Sequence, residues 1–115
     1  MSTVTNLSYL KIIASNNPTM MKVFINSFLK SANTSITELE TALNERDYNK
    51  MKKAAHTFKA QVGYMGIEEM TPIITQLEED SALSQNIDLF PDMVNRVKSI
   101  TLQAIDELTK ELEKL

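Results

Sequence analysis

The chain has 115 residues, the size of one domain, with 43% hydrophobic residues, 23% charged residues and a formal net charge of −3. Two glycines and three prolines are too few for a β-sandwich, whose turns recur about every 8–12 residues, so the composition points to an all-α fold. The lack of cysteine excludes disulfides, thiolate nucleophiles and cysteine-bound zinc, and a single histidine excludes two-histidine metal motifs.

The acidic balance points away from nucleic acid as a partner. No apolar run reaches the ~18–20 residues of a membrane span. The opening MSTVTNLSYLK has neither the basic start nor the apolar run of a signal peptide, so a cytoplasmic location is expected.

Helix punctuation organises the rest. Asn6 can cap a short first helix with Leu7, Leu10 and Ile13 or Ile12 inward. Ser15-Asn16-Asn17-Pro18 then breaks the chain and restarts it, with Asn17 as N-cap and Pro18 at the first helical position. Met21, Ile25, Phe28, Ala32, Ile36, Leu39 and Leu43 draw one apolar stripe along a long second helix that ends near residues 44–47. Asp47 caps a third helix from Tyr48 to Met65, with Met51, Ala55, Phe58, Val62 and Met65 inward, and Gly66 stops it.

A fourth helix is expected from about Glu68 to Leu83, with Met70, Ile73, Ile74 and Leu77 inward and Pro72 confined to its first turn. Ser84-Gln85-Asn86 is a loop. The fifth helix starts around Asp88–Pro91 and runs to the end through Met93, Val97, Ile100, Ala104, Leu108 and Leu112. Short connections make neighbours antiparallel. The expectation is one domain over 1–115: an antiparallel up-down four-helix bundle with a short additional N-terminal helix across one end.

On the third helix, at about 100° per residue, the apolar stripe spans roughly 80° and His56 lies about 140° from its centre. Lys52, Lys59 and Gly63 share that flank, so the imidazole faces water with a lysine to either side. A solvated imidazole is mostly neutral at physiological pH, with one ring nitrogen free as a nucleophile. Nearby ammonium groups attract an anion, and the small residues Ala55, Ala60 and Gly63 leave room for one. An uncrowded, anion-friendly histidine suits a phosphoryl acceptor. On geometry alone, a lone surface histidine is more often incidental. The seven methionines at core spacing read as packing.

The run Ala54-Ala55-His56-Thr57-Phe58-Lys59-Ala60, then Gly66, then Leu77-Glu78, resembles the signature of histidine-containing phosphotransfer (HPt) domains. That signature is an Ala-His-x-Leu-Lys-Gly stretch, a glycine ten residues after the histidine, and a Leu-Glu or similar pair on the next helix. The resemblance implies that His56 is the phosphoacceptor on its outer ring nitrogen and that Lys59 steadies the phosphoryl oxygens. It also implies that Glu78 can hydrogen-bond the inner nitrogen; on the residues alone, a solvated surface acid is an equal reading. Lys52 is a secondary charge. Phe58 and Ala60 depart from the family's leucine and glycine, and Gly63 can restore some of the openness lost at Ala60.

By the same resemblance the domain is a relay without a nucleotide site, since two glycines make no phosphate-binding loop. It needs no cofactor of its own, and magnesium is expected in the acidic pocket of a partner receiver domain. The implied partners are response-regulator receiver domains, with a hybrid sensor kinase as a further candidate, and the chain is expected to be a monomer. Ile13, Met20 and Phe24, with Ala60 and Gly63, are the candidate binding surface; for the first three, ordinary core is an equal reading. A non-catalytic helical adaptor that binds receivers or other partners is the alternative. A dimerising helix rests only on Asp106, Glu107, Lys110, Glu111 and Lys114, which read as a solvated face.

Overall fold

Side-chain caps start the second and third helices, but not the first. In the computed structural model, which describes residues 3–115, α1 (Ser8–Ile13) has Leu7 rather than Asn6 as its N-cap, because its first intrahelical bond runs from Lys11 N–H to Leu7 C=O. Asn6 Oδ1 accepts from the Ser8 N–H at 2.9 Å one residue ahead of that cap. The first two positions of the expected 1–115 domain lie outside the described residues. Asn17 accepts from the Thr19 and Met20 N–H groups and opens α2 (Pro18–Glu45), with Pro18 in the first turn. Asp47 accepts from Lys50 N–H at 3.0 Å and opens α3 (Tyr48–Tyr64).

The next helix, α4 (Thr71–Leu83), begins three residues later than expected. Pro72 is the reason: it has no N–H to bond the Glu68 carbonyl, and its ring clashes with a carbonyl four residues back. Residues 67–70 therefore form a turn, closed by Met70 N–H donating to Ile67 C=O at 3.0 Å. A short 3₁₀ turn (Ile87–Leu89) leads into α5 (Phe90–Lys114).

Helices α1 to α4 end alike. One or two residues past each end, one residue turns left-handed: Ser15, Arg46, Gly66 and Ser84. Around it a paired-bond motif satisfies the last carbonyls. After α3, for example, Ile67 N–H donates to Val62 C=O and Gly66 N–H to Gly63 C=O. Three of these positions carry a side chain; only Gly66 cannot, because a Cβ there would sit on the Asn6 carbonyl oxygen. Gly66 is thus required by the N-terminal segment packed over it as well as by its own φ of 62°.

Helices α2 to α5 form the antiparallel bundle, with α3 packed on both α2 and α4 and α5 closing it against α2 and α4. At 1.5 Å per residue, α2 is about 42 Å long, which matches the 42 Å long axis of the molecule. Phe28 and Phe58 stack at 5.9 Å in the core, and Tyr48 meets Phe90 edge-on at 5.6 Å. Full burial of one such phenyl stabilises by about 2–3 kcal/mol.

Three stripe assignments change. Ala42 is buried and Leu43 only half-buried, and Leu112 is half-buried near the end of α5. In α1, Leu10 is buried with Ala14 just beyond, whereas Ile12 and Ile13 are exposed. A six-residue helix presents little more than one i, i+4 pair to the bundle, and here that pair is Leu10 and Ala14. The expected 84–86 loop is organised by buried Asp80, whose Oδ1 accepts from the side-chain amides of Gln76, Gln85 and Asn86.

Candidate functional site

Because α3 turns Met51, Ala54, Ala55, Phe58 and Val62 into the core, its other flank carries Lys52, His56, Lys59 and Gly63 outward. The His56 side chain is 70% exposed. Ala55, expected beside the ring, instead faces the core, since it lies on the buried stripe. Ala60 and Gly63 are exposed, and a Cβ at Gly63 would meet nothing within 4 Å. The surface beside the imidazole is therefore open.

Antiparallel α4 delivers Glu78 from the next turn of the bundle, one residue past buried Leu77. Its carboxylate bridges two α3 side chains. Oε2 lies 2.7 Å from His56 Nδ1, and Oε1 accepts from Lys59 Nζ at 2.6 Å. Glu78 is only 18% exposed, so the solvated-acid reading is set aside. The hydrogen bond from Lys59 holds its carboxyl below the usual carboxylate range; partial burial opposes this, and His56 reinforces it.

That charge state decides the tautomer. An ionised carboxylate can only accept, so Nδ1 carries the ring proton and donates it to Glu78. The lone pair of the neutral ring is then on Nε2, on the exposed side. Lys59, which the resemblance assigns to the phosphoryl oxygens, is held here by Glu78. Lys52, one turn before His56, is exposed.

The structure thus joins His56, Lys59 and Glu78. It does not bring Ile13, Met20 and Phe24 into contact with them. Those three lie around the end of the bundle where α1, the start of α2 and the end of α3 meet. Ile13 and Met20 are exposed, and half-buried Phe24 lies 5.9 Å from the Tyr64 ring, which stacks on Tyr9 at 6.1 Å. Tyr64 follows His56 by eight residues, about 12 Å along the helix axis.

Sequence reasoning missed Tyr9, Val23 and Tyr64, all exposed and apolar at this end, where exposed Ile12 also lies. Their signal was present as bulky residues off the core stripes. Charge is divided as well. Residues 18–64 hold seven Lys and Arg against four Asp and Glu, whereas residues 65–115 hold four against eleven. The α2–α3 hairpin that bears His56 is the basic part of an acidic protein.

The Hpt domain family model matches residues 23–115, a span that includes His56, Lys59 and Glu78. No curated protein sequence matches the chain. In three dimensions the chain is similar to histidine-containing phosphotransfer protein B (HptB) from Pseudomonas aeruginosa PAO1, with a TM-score of 0.89. The alignment covers 100% of this chain and 99% of that one at 16% identity, a likeness of fold. No helix among the described residues is long and apolar enough to cross a membrane. With the family model matched over most of its length, the chain belongs to the Hpt domain family.

Proposed function

We propose that this chain relays phosphoryl groups between receiver domains, with His56 Nε2 as the acceptor. The observation that carries this reading is the exposed imidazole whose Nδ1–H is held by ionised Glu78 at 2.7 Å. In the first step Nε2 attacks the phosphorus of a receiver's phospho-aspartate in line. The N–P bond forms, the P–O bond to the aspartyl carboxylate breaks, and that carboxylate leaves with the electron pair. The imidazole keeps its Nδ1 proton and gains positive charge, which Glu78 offsets. Attack by a second receiver's carboxylate reverses these bonds and restores the neutral ring.

Such a transfer is mostly positioning and charge stabilisation. Lys59 sits one turn from His56 with its ammonium on Glu78, close enough for the pair to share the charge of an arriving phosphoryl group. Lys52 adds a more distant positive charge. Glu78 is the carboxylate at the imidazole and is committed to His56 and Lys59, so magnesium is assigned to the receiver's acidic pocket. The basic α2–α3 hairpin complements that pocket. Beside it, Ile13, Met20 and Phe24, together with Tyr9 and Tyr64, form the apolar contact.

Glu78→Gln tests the charge at the site. It keeps an acceptor for Nδ1–H but replaces a charge-assisted bond with a neutral one, a difference of about 1–1.5 kcal/mol. Phosphotransfer from a labelled receiver, followed by rapid quench, should slow about tenfold. An unchanged rate would reduce Glu78 to a tie between helices. The same carboxyl sets an acid limit. Because its folded pKa is lowered, its stabilising contribution is complete above the ordinary glutamate value and is lost as pH falls through the lower folded value. The wild-type α3–α4 tie should therefore weaken only below about pH 4.3, and Glu78→Gln should remove that acid-dependent part of stability.

A further inference from the structure

Glu107 was expected on the solvated face of the last helix, yet its carboxylate is the anchor of the opposite chain terminus. Its oxygens accept from Val4 N–H at 2.9 and 3.1 Å, from Thr5 N–H at 2.9 Å and from Thr5 Oγ1 at 2.7 Å, with Gln103 Nε2 adding a bond at 3.0 Å. Two successive backbone N–H groups and a hydroxyl aimed at one carboxylate make a clamp, and it spans 102 and 103 positions of sequence.

The clamp continues into the surface beside His56. Immediately after Thr5, Asn6 donates its N–H to Met65 C=O at 3.1 Å, and its own carbonyl lies over Gly66. Asn6 Oδ1 then accepts from Ser8 N–H at the entry to α1, whose Tyr9 stacks on Tyr64 of α3. With six residues, α1 is far too short to be stable alone. Buried Leu10 and Ala14 hold its body, and the residue 4–6 tether holds its entry. The family match begins at residue 23, so this whole unit stands outside it while contributing exposed Tyr9, Ile12 and Ile13.

We infer that Glu107 is a positioning residue for phosphotransfer: by clamping Val4 and Thr5 to α5 it seats α1, and the seated α1 sets the affinity for the receiver. This inference rests on the relay reading above. Glu107 lies far along the chain from His56 and has no part in the bond-making step, so it acts on docking alone.

The test compares wild type, Glu107→Ala and Glu107→Gln at increasing concentrations of receiver domains phosphorylated with acetyl phosphate. Phosphoramidate, a small donor that needs no docking, phosphorylates His56 in parallel. Amide hydrogen exchange reports the seating of residues 6–14. Glu107→Ala should raise the receiver KM about tenfold, as loss of bonds to a charged acceptor predicts, with the maximal rate and phosphoramidate labelling unchanged and exchange at residues 6–14 faster. Glu107→Gln keeps an acceptor oxygen and should fall between the two.

An unchanged KM despite faster exchange would overturn the inference, as would unchanged exchange. Slower phosphoramidate labelling of Glu107→Ala would also overturn it, by showing that the change acts through the fold at large. If wild type takes phosphate from phosphoramidate but from no receiver, the relay reading itself fails and takes the inference with it.

Discussion

Replacing His56 with glutamine should abolish the acid-labile, alkali-stable label that a phosphorylated receiver leaves on the wild-type chain. The glutamine amide nitrogen has its lone pair delocalised into the carbonyl, so it cannot attack phosphorus. Its N–H can still donate to Glu78, which keeps the carboxylate partnered. The side chain at this position is 70% exposed, and an exposed substitution of this kind changes stability by no more than about 0.5 kcal/mol. Melting of the variant should therefore match wild type while transfer falls to background. A variant that still takes label would move the acceptor elsewhere. A panel of receivers that binds both proteins equally and labels neither would replace the relay with the adaptor.

Gly66→Ala should be the most damaging single methyl in the chain. A left-handed backbone costs an L-residue about 1–2 kcal/mol, a cost already tolerated at Ser15, Arg46 and Ser84. At Gly66 the added carbon also displaces the Asn6 carbonyl, so the N-terminal segment must lift or the α3–α4 turn must open. A total of about 3 kcal/mol is expected, which for a domain of this size lowers Tm by roughly 10–15 °C. Gly63→Ala is the control. That glycine is exposed within α3 and its Cβ meets nothing, so alanine should stabilise the helix by about 0.5–1 kcal/mol. Equal melting of the two variants would show that the Asn6–Gly66 packing carries no weight. Faster exchange at residues 6–14 in Gly66→Ala would locate the damage in the segment that Glu107 clamps.

The contrast between the two glycines shows where sequence reasoning reached its limit. Both lie near the end of one helix, and Gly66 was correctly expected to stop it. Its indispensability comes from Asn6, sixty positions earlier, and no local pattern reports that. Pro72 is a milder case. Its place in the first turn of α4 was anticipated, but the start moved to Thr71 because the proline also bars the turn before it.

The individual helices, the caps of α2 and α3 and the exposure of His56 were readable from the sequence because each depends on residues within about one turn. Asn17 bonds N–H groups two and three residues on, Asp47 one three residues on, and the stripe of α3 repeats every three or four residues. The resemblance implied a bond from Glu78 to the inner nitrogen of His56, but the residues alone left a solvated acid as an equal reading. The packing of α3 on α4 decided between them and added Lys59; the two partners lie 22 and 19 positions from Glu78. Closure of the bundle likewise turned Glu107 from a surface acid into a clamp on residues 4 and 5. Caps and stripes are energies between near neighbours and are written locally. Hydrogen bonds between distant groups exist only once burial of the four stripes has brought the helices together.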